Sequence, residues 1–69
     1  MNIHETRYLN HEGAPVTCVM VESVADDVAV YMCKGRVSDN HAAKNGTKLT
    51  EKTALNMGFR VPAGKHYRR

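Results

Sequence analysis

The residues best suited to chemistry are two cysteines and four histidines: Cys18, Cys33, His4, His11, His41 and His66. Thiolates and imidazoles are zinc's usual ligands, and a structural zinc wants four of them. Cys18 and Cys33 lack the close C-x-x-C spacing of a metal knuckle, so a site would have to borrow histidines from elsewhere in the chain. The simpler account is that both cysteines are small apolar residues in the interior. No cofactor is expected, and Cys18 with Cys33 is the only metal pair to test. The dipeptides His4-Glu5 and His11-Glu12 stand seven apart, which on one strand puts them on opposite faces.

His41, with Asn40 and Asn45 beside a hairpin and a helix, resembles the ββα-metal nucleases in residue type. That resemblance would imply a histidine base and metal ligands from the following helix. Here His41 follows the hairpin, and "LTEKTALNM" offers only Glu51 as a ligand. Thr50, Ala54 and Gly58 are spaced in a way that resembles the first helix of a helix-turn-helix, yet Pro62 and the short remainder leave no room for a recognition helix. "KNGTK" lacks the rest of a phosphate-binding loop. No catalytic arrangement remains, and the chain is expected not to be an enzyme.

Charge is the unusual feature. The net charge is +3, but its halves differ. Residues 1 to 40 carry three Lys or Arg against six acids, and residues 41 to 69 carry seven against one. Such segregation bears on partners. Lys48, Lys52, Arg60, Lys65, Arg68 and Arg69 are candidates to neutralise phosphates, with His66 and Tyr67 to stack on bases. The leading expectation is a small binding module whose basic C-terminal half docks on nucleic acid or a nucleoprotein machine. The alternative is a regulator or inhibitor, of phage or mobile-element type, that occupies a larger protein. Its contact surface would be Met20, Glu22, Asp27 and Tyr31.

These groups must be held by a small fold. Sixty-nine residues make one domain and a thin core. "PVTCVMVESV" and "DVAVYMCKGRV" are rich in β-branched residues and read as the arms of a hairpin. A loop of two residues (Ala25, Asp26) or four (Val24 to Asp27) makes paired positions sum to 51, with Cys18 facing Cys33 and Met20 facing Tyr31. Val19, Val21, Val28, Val30 and Met32 then share the core face. The other face (Cys18, Met20, Val24, Ala29, Tyr31 and Cys33, with Glu22 and Asp27 near the turn) is half apolar, and needs either a cover, such as the N-terminal segment, or a partner, such as a second copy in a homodimer.

"SDNHAAKNGTK" reads as a polar loop. "LTEKTALNMGF" reads as a short helix capped by Thr50 and stopped by Gly58, with Leu55 and Phe59 packed on the valines. "VPAG" suits a type I turn, so "FRV" and "KHYRR" could fold back on each other. Residues 1–14 are either flexible or a short edge strand over "TRYLN", and residues 65–69 a basic tail. The expected architecture is α+β: an antiparallel hairpin or small sheet, one short helix on it, and a basic C-terminal arm. No apolar run is of transmembrane length and no leader is visible, so a cytoplasmic protein without membrane contact is expected.

Overall fold

A computed structural model describes residues 2–68. The fold is α+β: an antiparallel sheet with a short helix on each face. The chain order is β1 (Asn2–His11), β2 (Ala14–Glu22), β3 (Asp27–Lys34), α1 (Asp39–Asn45), β4 (Thr47–Lys48), α2 (Glu51–Asn56) and β5 (His66–Tyr67). The strand order is β1-β2-β3-β4, and β5 also pairs with β3.

β2 is the centre. Val16 through Val21 are all buried, which is the mark of a strand covered on both faces. On one face Val16, Cys18 and Met20 meet Val28, Val30, Ala54 and Phe59. On the other, Val19 and Val21 meet Ala42 of α1, with Ile3, Tyr31, Cys33 and Val37 around them. Thr17, the one buried polar residue among those described, is satisfied twice. Its hydroxyl donates to the Gly35 carbonyl at 2.9 Å and accepts from the Val37 amide at 3.1 Å. That pair of bonds bends the chain leaving β3 back over the sheet, where it starts α1.

The expected hairpin forms one residue out of the expected register. Cys18 faces Met32, Thr17 faces Cys33 and Met20 faces Val30. The cause is the loop. Asp26 N–H donates to the Ser23 carbonyl at 3.2 Å, Asp26 takes φ 63°, and Ser23 N–H donates to the Asp27 carbonyl at 2.8 Å. This is a three-residue connection, a turn followed by a left-handed residue. An odd loop moves the pairing by one, and the pleat then exchanges faces along one strand relative to the other. Cys18 and Cys33 therefore lie on opposite faces, which removes the expected cross-strand thiol pair.

Three further expectations change. The stretch read as a polar loop contains α1, capped by the Ser38 hydroxyl, with Asp39 in its first turn and Lys44 in its last, as the helix dipole favours. Its Ala42 and Ala43 are small enough to lie close on the valines. Gly46 ends it where a Cβ would run into the Ala42 carbonyl oxygen. β1 is a full strand of ten residues, turned into β2 by Glu12 and Gly13, both at positive φ. The C-terminal turn falls one residue late. Lys65 N–H donates to the Pro62 carbonyl, and Gly64 takes the positive φ of a type II turn. The chain beyond it forms β5, parallel to β3 at Asp27 and Val28, in place of a loose arm or a hairpin with "FRV". Arg69 and Met1 lie outside the described residues.

Helix α2 is as expected at both ends. Thr50 accepts from the Thr53 amide. Gly58 takes φ +97°, with Gly58 N–H on Leu55 O and Phe59 N–H on Ala54 O, a Schellman cap. The reversal changes what packs. Phe59 is past the helix, so its helical-spacing partner is lost and it seats on Ala54, leaving Leu55 47% exposed.

Thr17→Val keeps the shape and strands a buried amide and carbonyl, which should lower stability by about 1–3 kcal/mol. Val24→Ala, at a side chain 99% exposed, should change it little. Urea unfolding of both variants beside the parent checks this.

Candidate functional site

β5 is attached by three kinds of bond, and two of them engage side chains of the expected basic clamp, Lys65 and Tyr67. Arg68 N–H donates to the Val28 carbonyl. The Tyr67 hydroxyl donates to the Leu49 carbonyl, tying β5 to the residue that follows β4. The Lys65 ammonium sits between Glu22 (2.9 Å) and Asp26 (2.8 Å) at the second hairpin. Glu22 also holds His4 Nδ1 at 3.3 Å. The clasp thus joins β1, β2, the β2–β3 turn and the C-terminal segment.

Its electrostatics follow from these contacts. Hydrogen bonding to Lys65 and the charge of its ammonium hold the Asp26 carboxyl below its ordinary value. Hydrogen bonds to Asp26, then Glu22, raise the Lys65 pKa. Burial pushes the Tyr67 phenol up, so it stays a neutral donor. Burial also raises the Cys18 thiol, which keeps it out of thiolate chemistry.

The other expected contacts separate. Lys48 and Lys52 come together: both line one open depression of about 660 Å³ with Leu49, Thr50, Glu51 and Leu55. Lys48 stands opposite Tyr31 in the β3–β4 pair. Arg60 is exposed beyond Phe59. His66 is exposed opposite Asp27. Arg68 lines a different hollow with Val21, Asp27, Ala29 and Tyr31, on the face that carries α1. The tail from Val61 to Tyr67 borders a third depression that has Glu51 in its wall.

The alternative surface is divided as well. Met20 is 1% exposed in the core beneath α2, Glu22 is engaged by Lys65 and His4, and Asp27 and Tyr31 are half-buried, with Tyr31 on the α1 side. Among the described residues, no group of three or more His, Cys, Asp or Glu could hold a metal ion. His41 lies on the exposed side of α1, 3.4 Å from the Asn45 amide.

Sequence reasoning missed two exposed groups. Leu55 was assigned to the core because it stands four before Phe59; the left-handed Gly58 between them was the available signal that helical spacing ends there. Tyr8, 51% exposed on β1, carries the Arg36 guanidinium 5.8 Å from its ring centroid. Nothing in the local sequence joins residues 8 and 36.

The chain matches no family model, no curated protein and no solved structure. Among the described residues, no helix is long and apolar enough to cross a membrane.

The clasp has a pH signature. The Asp26 pKa is depressed, so its contribution is present above the ordinary carboxylate value of 3.8 and is lost as pH falls through the lower folded value. The Lys65 pKa is raised, so its contribution is present below 10.5 and is lost as pH rises through the higher folded value. Hydrogen exchange at the Arg68 amide should therefore accelerate, beyond its intrinsic pH trend, at both extremes. Lys65→Met should remove both dependences and expose that amide at neutral pH.

Proposed function

We propose that the chain is a non-enzymatic binding module that docks on a larger protein through the depression between β4 and α2. The observation that carries this reading is Leu55. It is a large apolar side chain nearly half exposed, and it shares its depression with Leu49 and with the ammonium-bearing Lys48 and Lys52. An apolar floor whose rim carries two lysines against one carboxylate, Glu51, fits an acidic, amphipathic segment: apolar side chains against Leu49 and Leu55, carboxylates to the lysines. Lys52 is exposed, and its ammonium can reach such a partner. A protein component of a nucleoprotein machine fits this description, as does a host protein blocked by a phage-type inhibitor. Thiols held on opposite faces, unable to bridge each other, suit the reducing cytoplasm.

Direct binding of nucleic acid is the second reading. Lys48, Lys52, Arg60 and Arg68 remain available to phosphates, and the exposed Tyr8 with Arg36 offers a stacking surface. Against it, Lys65 is neutralised by two carboxylates and Tyr67 is fastened to the Leu49 carbonyl.

Affinity purification from the native host, with and without nuclease, separates the two. The expected result is one stoichiometric protein, retained after nuclease and lost in both Leu55→Glu and the double variant Lys48→Glu, Lys52→Glu. Retardation of bare RNA or DNA that weakens steeply with salt and survives Leu55→Glu would overturn the protein reading in favour of the second.

A further inference from the structure

The sheet treats its two edges differently. The outer edge of β3 is sealed piece by piece: β4 pairs with Tyr31 and Met32, β5 with Asp27 and Val28, and Leu49 N–H fills the gap by donating to the Val30 carbonyl at 2.8 Å. The outer edge of β1 has no strand beside it among the described residues, although β1 is the longest strand. Its alternate outward amides and carbonyls form a ready pairing template. The only irregularity is a register shift at His4, between Ile3 and Glu5, so Glu5 to His11 runs in unbroken register with β2.

We propose that this edge is a homodimer interface, in which β1 pairs antiparallel with β1 of a second copy about a two-fold axis at Thr6. A two-fold axis perpendicular to the sheet keeps each face on its own side, so residues that oppose each other must share a face. That restricts the pairing to registers centred on one residue. Centred on Glu5, two carboxylates face each other; centred on Arg7, two guanidiniums do. Centred on Thr6, Glu5 faces the partner's Arg7 and Arg7 faces the partner's Glu5, while the two threonines meet on the axis. Glu5 and Arg7 already join within the strand at 2.7 Å, on the face where Arg7 lies over the Phe59 ring. Pairing at Thr6 closes the two ion pairs into an alternating ring of four charges. Opposite charges across a strand pair stabilise it, and like charges there do the reverse. The result is one continuous sheet, β4-β3-β2-β1 followed by the second copy in reverse order. It protects the open edge and enlarges the thin core of a 69-residue chain. The α2 depression shares no lining residue with β1, so the two proposals are tested separately.

Light scattering on the purified protein should give twice the chain mass of 7.7 kDa. Glu5→Arg sets arginine against arginine twice, and should raise the dimer dissociation constant about tenfold or more. Arg7→Glu sets carboxylate against carboxylate. Mixing the two variants should restore a dimer, now mixed. As a test of register, Thr6→Cys in a Cys33→Ser background puts two thiols on the axis. Opposed residues there are about 4.5–5.5 Å apart at Cα, within disulfide reach, so mild oxidation should link the copies rapidly. Tyr8→Cys in the same background should link far more slowly. A mass of one chain at high micromolar concentration would overturn the proposal. So would a dimer that Thr6→Cys fails to link, or one that Glu5→Arg leaves unchanged while circular dichroism shows the variant folded.

Discussion

The structure depends on β2 being dry on both faces. Six consecutive residues, Val16 to Val21, are buried. A strand of that kind needs two covers, and a short chain has few residues from which to make them. The solution is economical in side-chain size. α1 covers one face with alanines, and α2 with its Schellman cap covers the other with Ala54 and Phe59. Both connections are anchored on groups that must not be left unpaired. The Thr17 hydroxyl holds the path from β3 to α1, and the Tyr67 hydroxyl holds the returning C-terminus.

Much of this was legible in the residues, and the failures have definite physical causes. The β2–β3 hairpin, the Thr50 cap, the Gly58 stop and the α+β class were all readable, because each rests on local stereochemistry. The register was missed because it hinges on one backbone torsion. Asp26 adopts a left-handed conformation that Asp tolerates without requiring, and that single choice makes the loop odd. The face assignments for Met20, Tyr31 and the two cysteines went with it. α1 was missed because seven residues with two alanines carry almost no hydrophobic signal. The helix exists because Val19 and Val21 need covering, and that is a tertiary cause. The unexplained apolar second face of the hairpin was the trace of it.

The candidate site was less legible than the fold. Charge segregation along the sequence did not survive as segregation in space, since Lys65 from the basic half returns to Glu22 and Asp26 of the acidic half. A basic tail and an acidic hairpin attract each other before either meets a partner. The net positive charge is therefore carried by residues outside the clasp, among them Lys48, Lys52 and Arg60. Lys48 and Lys52 were named for their charge in the basic half, and they do share a depression. Their spacing spans a cap, so their meeting depends on β4 docking beside β3 and not on helical periodicity.

Leu55 gives the depression its meaning. This fold covers both faces of a central strand with alanines, valines and one phenylalanine at its buried centre, and it draws even the tail tyrosine onto that core, its hydroxyl on the Leu49 carbonyl. Such a chain has few large apolar side chains to leave in water, where each forgoes the burial that could stabilise a thin core. Two of the three that it leaves exposed among the described residues have explicit company: Tyr8 has Arg36 on its ring, and Leu55 has Leu49, two lysines and Glu51 around it. The third, Val24, sits at the tip of the turn, where exposure follows from the loop itself. An exposed leucine inside a rimmed depression is a different matter, because nothing in the backbone geometry of α2 requires a leucine there; any good helix former would satisfy the position. That excess of apolar surface, set beside two lysines, is the observation on which the docking proposal rests.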